Sequence, residues 1–458
     1  MHPNRHAHEH QHRQVRRRVA DSNAYEFFNL LTGADLLDEV EAQLPEHRER
    51  LFPPTETLSM FLAQALGADR SCQQAVNAVA VRRLTQGMKV CSTHTGAFCR
   101  ARQRLPLDMV RTLARYTGRL IAQRSPRSWH WRGRAVRLVD GTTVSMPDTM
   151  ANQIAYPQSR TQKPGLGFPL CRMVGIVCLG SGALLNAALG RFRGKGGDEQ
   201  SLLRSMLDTL QRDDILLGDA YYASYFLLCS LRARGVDGVF EQYGARRRST
   251  DFRRGQRLGT RDHLIELSKP RDRPDWMSQT DFDQAPASLI VRELHTGGKI
   301  LVTTLLCAKQ TPKSAVRDLY RSRWNVELDL RNIKTTLGLG ILSCKTPQMV
   351  EKELWGYLLA YNLIRLLMAQ AAVLAGRRPR ELSFKHTLQL WVVWVRTGGD
   401  DKLAKLFVLI AQQRVANRPG RIEPRALKRR LKPYPLLTKP RHVATDIIRK
   451  KGHAKKLK

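Results

Sequence analysis

Three acidic residues, Asp140, Asp219 and Glu327, stand in settings where a carboxylate can do chemistry. Asp140 and Asp219 each follow a short apolar run, 135–139 and 215–217, and each is adjoined by a glycine. Such runs read as strands, and in an open α/β sheet functional groups gather where strands end. Glu327 lies instead in the stretch YRSRWNVELDLRNIK, 320–334, which lacks Pro and Gly and reads as helix. At helical pitch Tyr320, Arg323, Glu327 and Lys334 share one wedge of about 60°. Leu319, Val326, Leu330 and Ile333 form an apolar stripe beside it, suited to packing on a core. One carboxylate flanked by two cations and a phenol suits a metal ion facing a phosphate; the alternative is an amphipathic helix with ordinary charge pairs. Three carboxylates brought together would repel by roughly 3–4 kcal/mol per pair at about 5 Å in an effective dielectric near 20. Oxygen-preferring Mg²⁺ or Mn²⁺ relieves that repulsion. Two such ions, roughly 3.5–4 Å apart, activate a hydroxyl and stabilise the leaving oxygen of a phosphodiester.

The rest of the chain suits a phosphate substrate. Its 458 residues carry 77 Lys and Arg against 40 Asp and Glu, a net charge of +37 that calls for a polyanionic partner, nucleic acid first. No secretory signal or lipidation motif opens the chain, and the longest apolar run, 355–375, is interrupted by Asn362, Arg365 and Gln370. That run is expected to be a buried helix, and no membrane role is expected. The eight cysteines form no C-x-x-C pair, so reduced thiols are expected in place of a zinc ribbon or disulfide framework.

Residues 1–22, with five His and an Arg run, read as a disordered basic arm. Residues 23–124 are helical in pattern and suit a small DNA-binding domain, with Thr55 as a candidate cap for a helix over 58–66 ended by Gly67. Strands are expected over 135–139, 171–179 and 183–191, then a helix over 200–211 capped by Asp198, the strand 215–217 and a helix over 223–234. That order describes the first part of a ribonuclease H-like α/β core, over 125–237. Residues 238–310 read as a β-rich insertion with a basic surface, 311–345 as the second part of the core, 346–420 as a helical C-terminal region and 421–458 as a basic tail.

At Tyr320, Arg323, Glu327 and Lys334 the chain resembles DDE transposases of the insertion-sequence-four family, whose signature has this spacing without a gap. VDGTTVSMPDT around Asp140 and LLGDAYY around Asp219 resemble the family's other acid blocks, and the likeness spans about 95–375. It implies metal-dependent cleavage at transposon ends and strand transfer into target DNA, by cut-and-paste. Asp140, Asp219 and Glu327 would hold the metals, two Mg²⁺ or Mn²⁺ ions, while Tyr320, Arg323, Lys334 and Arg331 would contact DNA. Trp324 matches an aromatic that follows the Arg in this family, suited to stacking on an unpaired base or to packing. The stretch 299–306 has no aromatic to hold a flipped base, a departure that bears on the hairpin step. The implied partners are terminal inverted repeats, target DNA and a second copy in a synaptic dimer, at the nucleoid of a bacterial cytoplasm. A domesticated DNA-binding protein without catalysis and a ribonuclease H-like nuclease are the alternatives.

Among competing acids, Asp148 lies in the loop after the first strand and is an alternative to Asp140. Asp213 and Asp214 precede a strand, and Asp329 lies about 200° around the helix from Glu327. Glu199 begins a helix, where its charge favours the dipole.

Overall fold

In a computed structural model the described residues are 51–452, apart from 193, 195, 243, 398–402 and 416–435. The basic arm, the first expected helices and most of the basic tail lie outside them. The N-terminal helices are α1 Pro54–Leu66, α2 Cys72–Thr85, α3 Gly96–Arg104 and α4 Leu107–Gln123. Helix α1 starts one residue before the expected cap Thr55 and one turn before the expected start at 58, because Pro54, with φ preset and no N–H to satisfy, takes the first helical position. Ser71 caps α2 by accepting from the Gln74 N–H at 3.0 Å.

Nine strands among the described residues form one sheet, in the order β3-β2-β1-β4-β5-β9-β8-β7-β6. They are β1 Val136–Ser145, β2 Leu170–Cys178, β3 Leu184–Arg191, β4 Ile215–Leu217, β5 Asp237–Glu241, β6 Gln256–Gly259, β7 Asp262–Ser268, β8 Ser288–Thr296 and β9 Lys299–Thr303. β1 runs antiparallel to β2 and parallel to β4, and β4 runs parallel to β5. From β5 outward the sheet is antiparallel. Residues 238–310 therefore extend the sheet across β5, a strand not expected from the sequence and lying across the 237/238 boundary. β1 also runs on to Ser145 where a strand ending at Asp140 was expected. β2 pairs it along its whole length, and the β-branched Thr142, Thr143 and Val144 suit that pairing.

The pleat of β1 and β4 divides the core. Val136, Leu138, Ile215 and Leu217 point into a large apolar cluster with α1, α4 and the C-terminal helix α9 Pro347–Leu374. Val139 and Leu216 point the other way, onto α5 Glu199–Arg204 and α6 Tyr225–Ala233. Helix α9 is long and apolar enough to cross a membrane by composition, yet 83% of its most apolar window is buried inside the protein. Asn362 on it bonds the carbonyls of Ala114 and Leu184 and accepts from the Leu184 N–H, tying α4, β3 and α9 together. Helices α10 Phe384–Thr397 and α11 Leu403–Gln412 pack against α9. All eight cysteines are free thiols.

The stretch around Glu327 is helical but not one regular helix. It runs as α7 Lys313–Arg321, a tighter 3₁₀ turn over Ser322–Trp324, α8 Asn325–Arg331 and a wider π turn over Asn332–Thr336. One turn overwinds and the other unwinds, so an even 100° spacing does not hold across it.

Candidate active site

Asp140 and Asp219 stand side by side because of register. Leu138 pairs with Leu217 across the parallel β1–β4 ladder, and each acid lies two residues further on. Two steps preserve the pleat, so both carboxylates turn to the face covered by α8. Asp219 is the point where β4 stops: its Oδ1 accepts from the Tyr221 N–H at 2.9 Å and caps a short 3₁₀ turn. Asp140 lies mid-strand, where β1 runs past the end of β4.

Glu327 approaches from α8, which packs on β1. Its Oε1 accepts from Arg323 at 3.0 Å, and the same guanidinium lies 4.0 Å from Asp140 Oδ2. Arg323 thus stands between the helix acid and the strand acid. Burial works against its charge, but Tyr320, Glu327 and Asp140 outweigh burial and raise its pKa. Burial pushes the Asp140 carboxyl up to about 6; the Gly141 N–H and Arg323 pull it down, while Asp219 and Glu199 push it further up. Among the described residues no three His, Cys, Asp or Glu side chains stand at metal-holding separation. The acids share one electrostatic neighbourhood without forming a closed cage.

The other signature residues divide. Trp324 is 51% exposed, and Arg331 is exposed. Lys334 is half-buried on the π turn, and burial lowers its pKa. Tyr320 is 6% exposed, with the Lys299 ammonium 5.7 Å from its ring centre. Its hydroxyl, turned toward Glu241 and within reach of the Asp219 charge, makes no hydrogen bond of acceptable geometry. It is an orphaned buried polar atom at the edge of the acid group.

The competing acids are held elsewhere. Asp148 is exposed beyond β1 and accepts from Gln153 at 2.8 Å. Asp214 is buried and pairs with Arg137 at 2.9 Å. Asp329 is fully buried and pairs with Arg365 and with Arg380, the latter at 2.8 Å.

Glu199 is the residue that sequence reasoning passed over. Gly141 turns to the α5 face, opposite to Asp140, and a Cβ there would overlap the Glu199 carboxylate. Glu199 Oε2 accepts from the Tyr222 hydroxyl at 3.1 Å, and Arg172 lies 3.9 Å from Oε1. Tyr222 is fully buried; burial first, then the charges of Glu199, Asp140 and Asp219, raises its pKa strongly. The one sequence signal was the glycine directly after Asp140, which leaves room for a group from the other face.

Residues 131–363 match the family model described as "Transposase DDE domain". The chain is 30% identical over 358 residues to the transposase InsG for insertion sequence element IS4 of Escherichia coli (strain K12), covering 75% of this chain and 78% of that one. It is 34% identical over 71 residues to the transposase for insertion sequence element IS421 of Escherichia coli, covering 16% of this chain and 19% of that one. A cryo-EM structure of a piggyBac transposase synaptic complex with hairpin DNA superposes with TM-score 0.43 at 10% identity, over 88% of each chain.

Proposed function

Because this chain belongs to the insertion-sequence-four family of DDE transposases, metal-dependent enzymes that cleave DNA and transfer its strands, we propose that Asp140, Asp219 and Glu327 are the acids that hold its metal. The observation that carries this is the shared register of Asp140 and Asp219, with Arg323 linking Asp140 to Glu327. The donor set fits: hard carboxylate oxygens select Mg²⁺ or Mn²⁺. Two ions is the number that in-line phosphodiester chemistry favours; when bound, they supply the activated hydroxyl and stabilise the leaving oxygen.

The chain's own residues do the rest. Burial raises the Asp140 pKa to about 6, and a bound cation would favour its ionised, metal-holding form. Arg323, already between two acids, is placed to neutralise a scissile phosphate once other cations satisfy those acids. Lys334 and the exposed Arg331 extend that cationic ridge along the DNA backbone. Half-exposed Trp324 offers a face for an unpaired base. Tyr320, buried beneath Lys299, acts from below the ridge as an anchor for α7 against β9.

The order β3-β2-β1-β4-β5, antiparallel then parallel, supports a ribonuclease H-like core from 125–237 and 311–345, with 238–310 inserted along its far edge. The helices of 23–124 would read the element's end, 346–420 would brace the core, and the arm and tail would add basic contacts. The substrates would be terminal inverted repeats and target DNA, brought together by a homodimer at the nucleoid. Cleavage through a hairpin lacks an aromatic on β9 to support it.

The test is cleavage of end-containing DNA by Asp140→Asn, Asp219→Asn and Glu327→Gln proteins with Mg²⁺. Each is expected to lose cleavage and keep DNA binding, with binding falling steeply as salt rises. A variant that still cuts removes its residue from the site.

A further inference from the structure

The Glu199 carboxylate lies against Gly141, on the face of β1 opposite to the Asp140 side chain. The α5 helix that carries it begins directly after its cap, Asp198, whose Oδ1 accepts from the Ser201 N–H at 3.0 Å. The Leu202 and Leu203 side chains bury that helix on β1 and β2. The helix is therefore fixed, and the Glu199 carboxylate lies where any side chain at position 141 would have to go. A carboxylate at a helix start ordinarily turns to solvent. This one is turned against a strand, half-buried beside the half-buried Asp140, with the Tyr222 hydroxyl and, at 3.9 Å, Arg172 as its partners.

We propose that Glu199 is a fourth oxygen donor to the metal held by Asp140, reaching it through the gap that Gly141 leaves in β1. This rests on the assignment of Asp140, Asp219 and Glu327 as metal-holding acids. Two contacts support it. A Cβ at position 141, next to Asp140 in the chain, would overlap the Glu199 carboxylate. The buried Tyr222 hydroxyl donates to Glu199 Oε2 at 3.1 Å and so orients the carboxylate beside β1. The competing role is structural: Glu199 as an anchor for Tyr222 and Arg172.

The two roles separate by binding of Mn²⁺ alone, followed by calorimetric titration of the full chain, and by unfolding in EDTA. Five proteins are compared: wild type, Glu199→Gln, Gly141→Ala, the double variant carrying both of these changes, and Asp219→Asn. As a ligand, Glu199 loses at least about tenfold in Mn²⁺ affinity on conversion to Gln, while the unfolding midpoint in EDTA holds or rises as repulsion falls. Gly141→Ala displaces the carboxylate without removing it, so it should weaken Mn²⁺ binding, and the double variant should be no weaker than Glu199→Gln. Wild-type affinity in Glu199→Gln, with affinity lost in Asp219→Asn, overturns the proposal and leaves the three-acid site intact. Unchanged affinity in both overturns the three-acid site itself. A lower midpoint in EDTA with unchanged Mn²⁺ binding assigns Glu199 the structural role and overturns the proposal.

Discussion

Glu327 and Asp329 lie two residues apart on α8 and should fail in opposite ways. Asp329 is fully buried, and its carboxylate is the common partner of Arg365, itself 3% exposed, and Arg380. Asp329→Asn keeps the shape and removes the charge, leaving two guanidinium groups sharing a neutral amide. Arg380 retains the Cys178 and Leu179 carbonyls, and Arg365 retains the Tyr361 hydroxyl, so hydrogen bonding is only partly lost. Breaking a buried ion pair by removing one partner costs about 3–5 kcal/mol, because the other charge stays buried without compensation. That range applies here, since Arg365 has no route to solvent. Glu327 differs: its side chain is 34% exposed, its one close partner is Arg323, and Arg323 keeps Asp140 at 4.0 Å. Glu327→Gln should shift stability by less than about 1 kcal/mol. Urea unfolding followed by far-ultraviolet circular dichroism measures both, with cleavage of end-containing DNA as the second readout. Asp329→Asn is expected to lose stability with m unchanged and to cut DNA in proportion to its folded fraction. Glu327→Gln is expected to be stable and inert. Asp329→Asn within about 1 kcal/mol of wild type would refute the buried-triad account. A Glu327→Gln protein that is unfolded would refute the division of roles.

Asp140 gives a pH-dependent outcome. In EDTA its carboxyl titrates at about 6 in the folded chain against 3.8 in the unfolded one. Between those values the folded chain holds a proton that the unfolded chain has lost, so stability falls as pH rises. Asp140→Asn escapes that loss and should gain on wild type by up to about 3 kcal/mol between pH 4 and pH 7.5, with the order reversed by saturating Mg²⁺. Parallel stability curves in EDTA would contradict the buried setting of this acid. Tyr320→Phe removes a buried hydroxyl without a hydrogen bond, so thermal unfolding should show stability held or raised. Trp324→Ala, at a half-exposed site, should leave the unfolding midpoint in place and weaken binding to single-stranded or end-frayed DNA by about 1–3 kcal/mol in a fluorescence titration.

Much of this was legible in the chain because it was local. Apolar runs of strand length ending in Asp-Gly or Gly-Asp announced β1 and β4, and Cys171, Cys178 and Leu184 fell in strands where alternation placed them. The four polar residues spaced along 320–334 announced a functional helix, since helical neighbours are fixed by backbone geometry alone. Capping was readable at Asp198, where one side chain meets one N–H three residues on. What stayed hidden depended on partners distant in sequence. The continuation of β1 to Ser145 is set by β2, and the strand β5 exists because β4 and β9 pair on its two sides. Tyr320 sat on the polar wedge of an ideal helix, but the 3₁₀ and π turns around α8 and the packing of β9 put it in the core. Glu199 was invisible as a site residue for the same reason. A helix start explains a glutamate well enough until the sheet folds it onto the one position of β1 that has no side chain. The sequence alone determined the chemistry available and the helices and strands that carry it. Only the tertiary structure decided which acids share a neighbourhood, because strand register and the close approach of two faces are set by long-range pairing that no local pattern records.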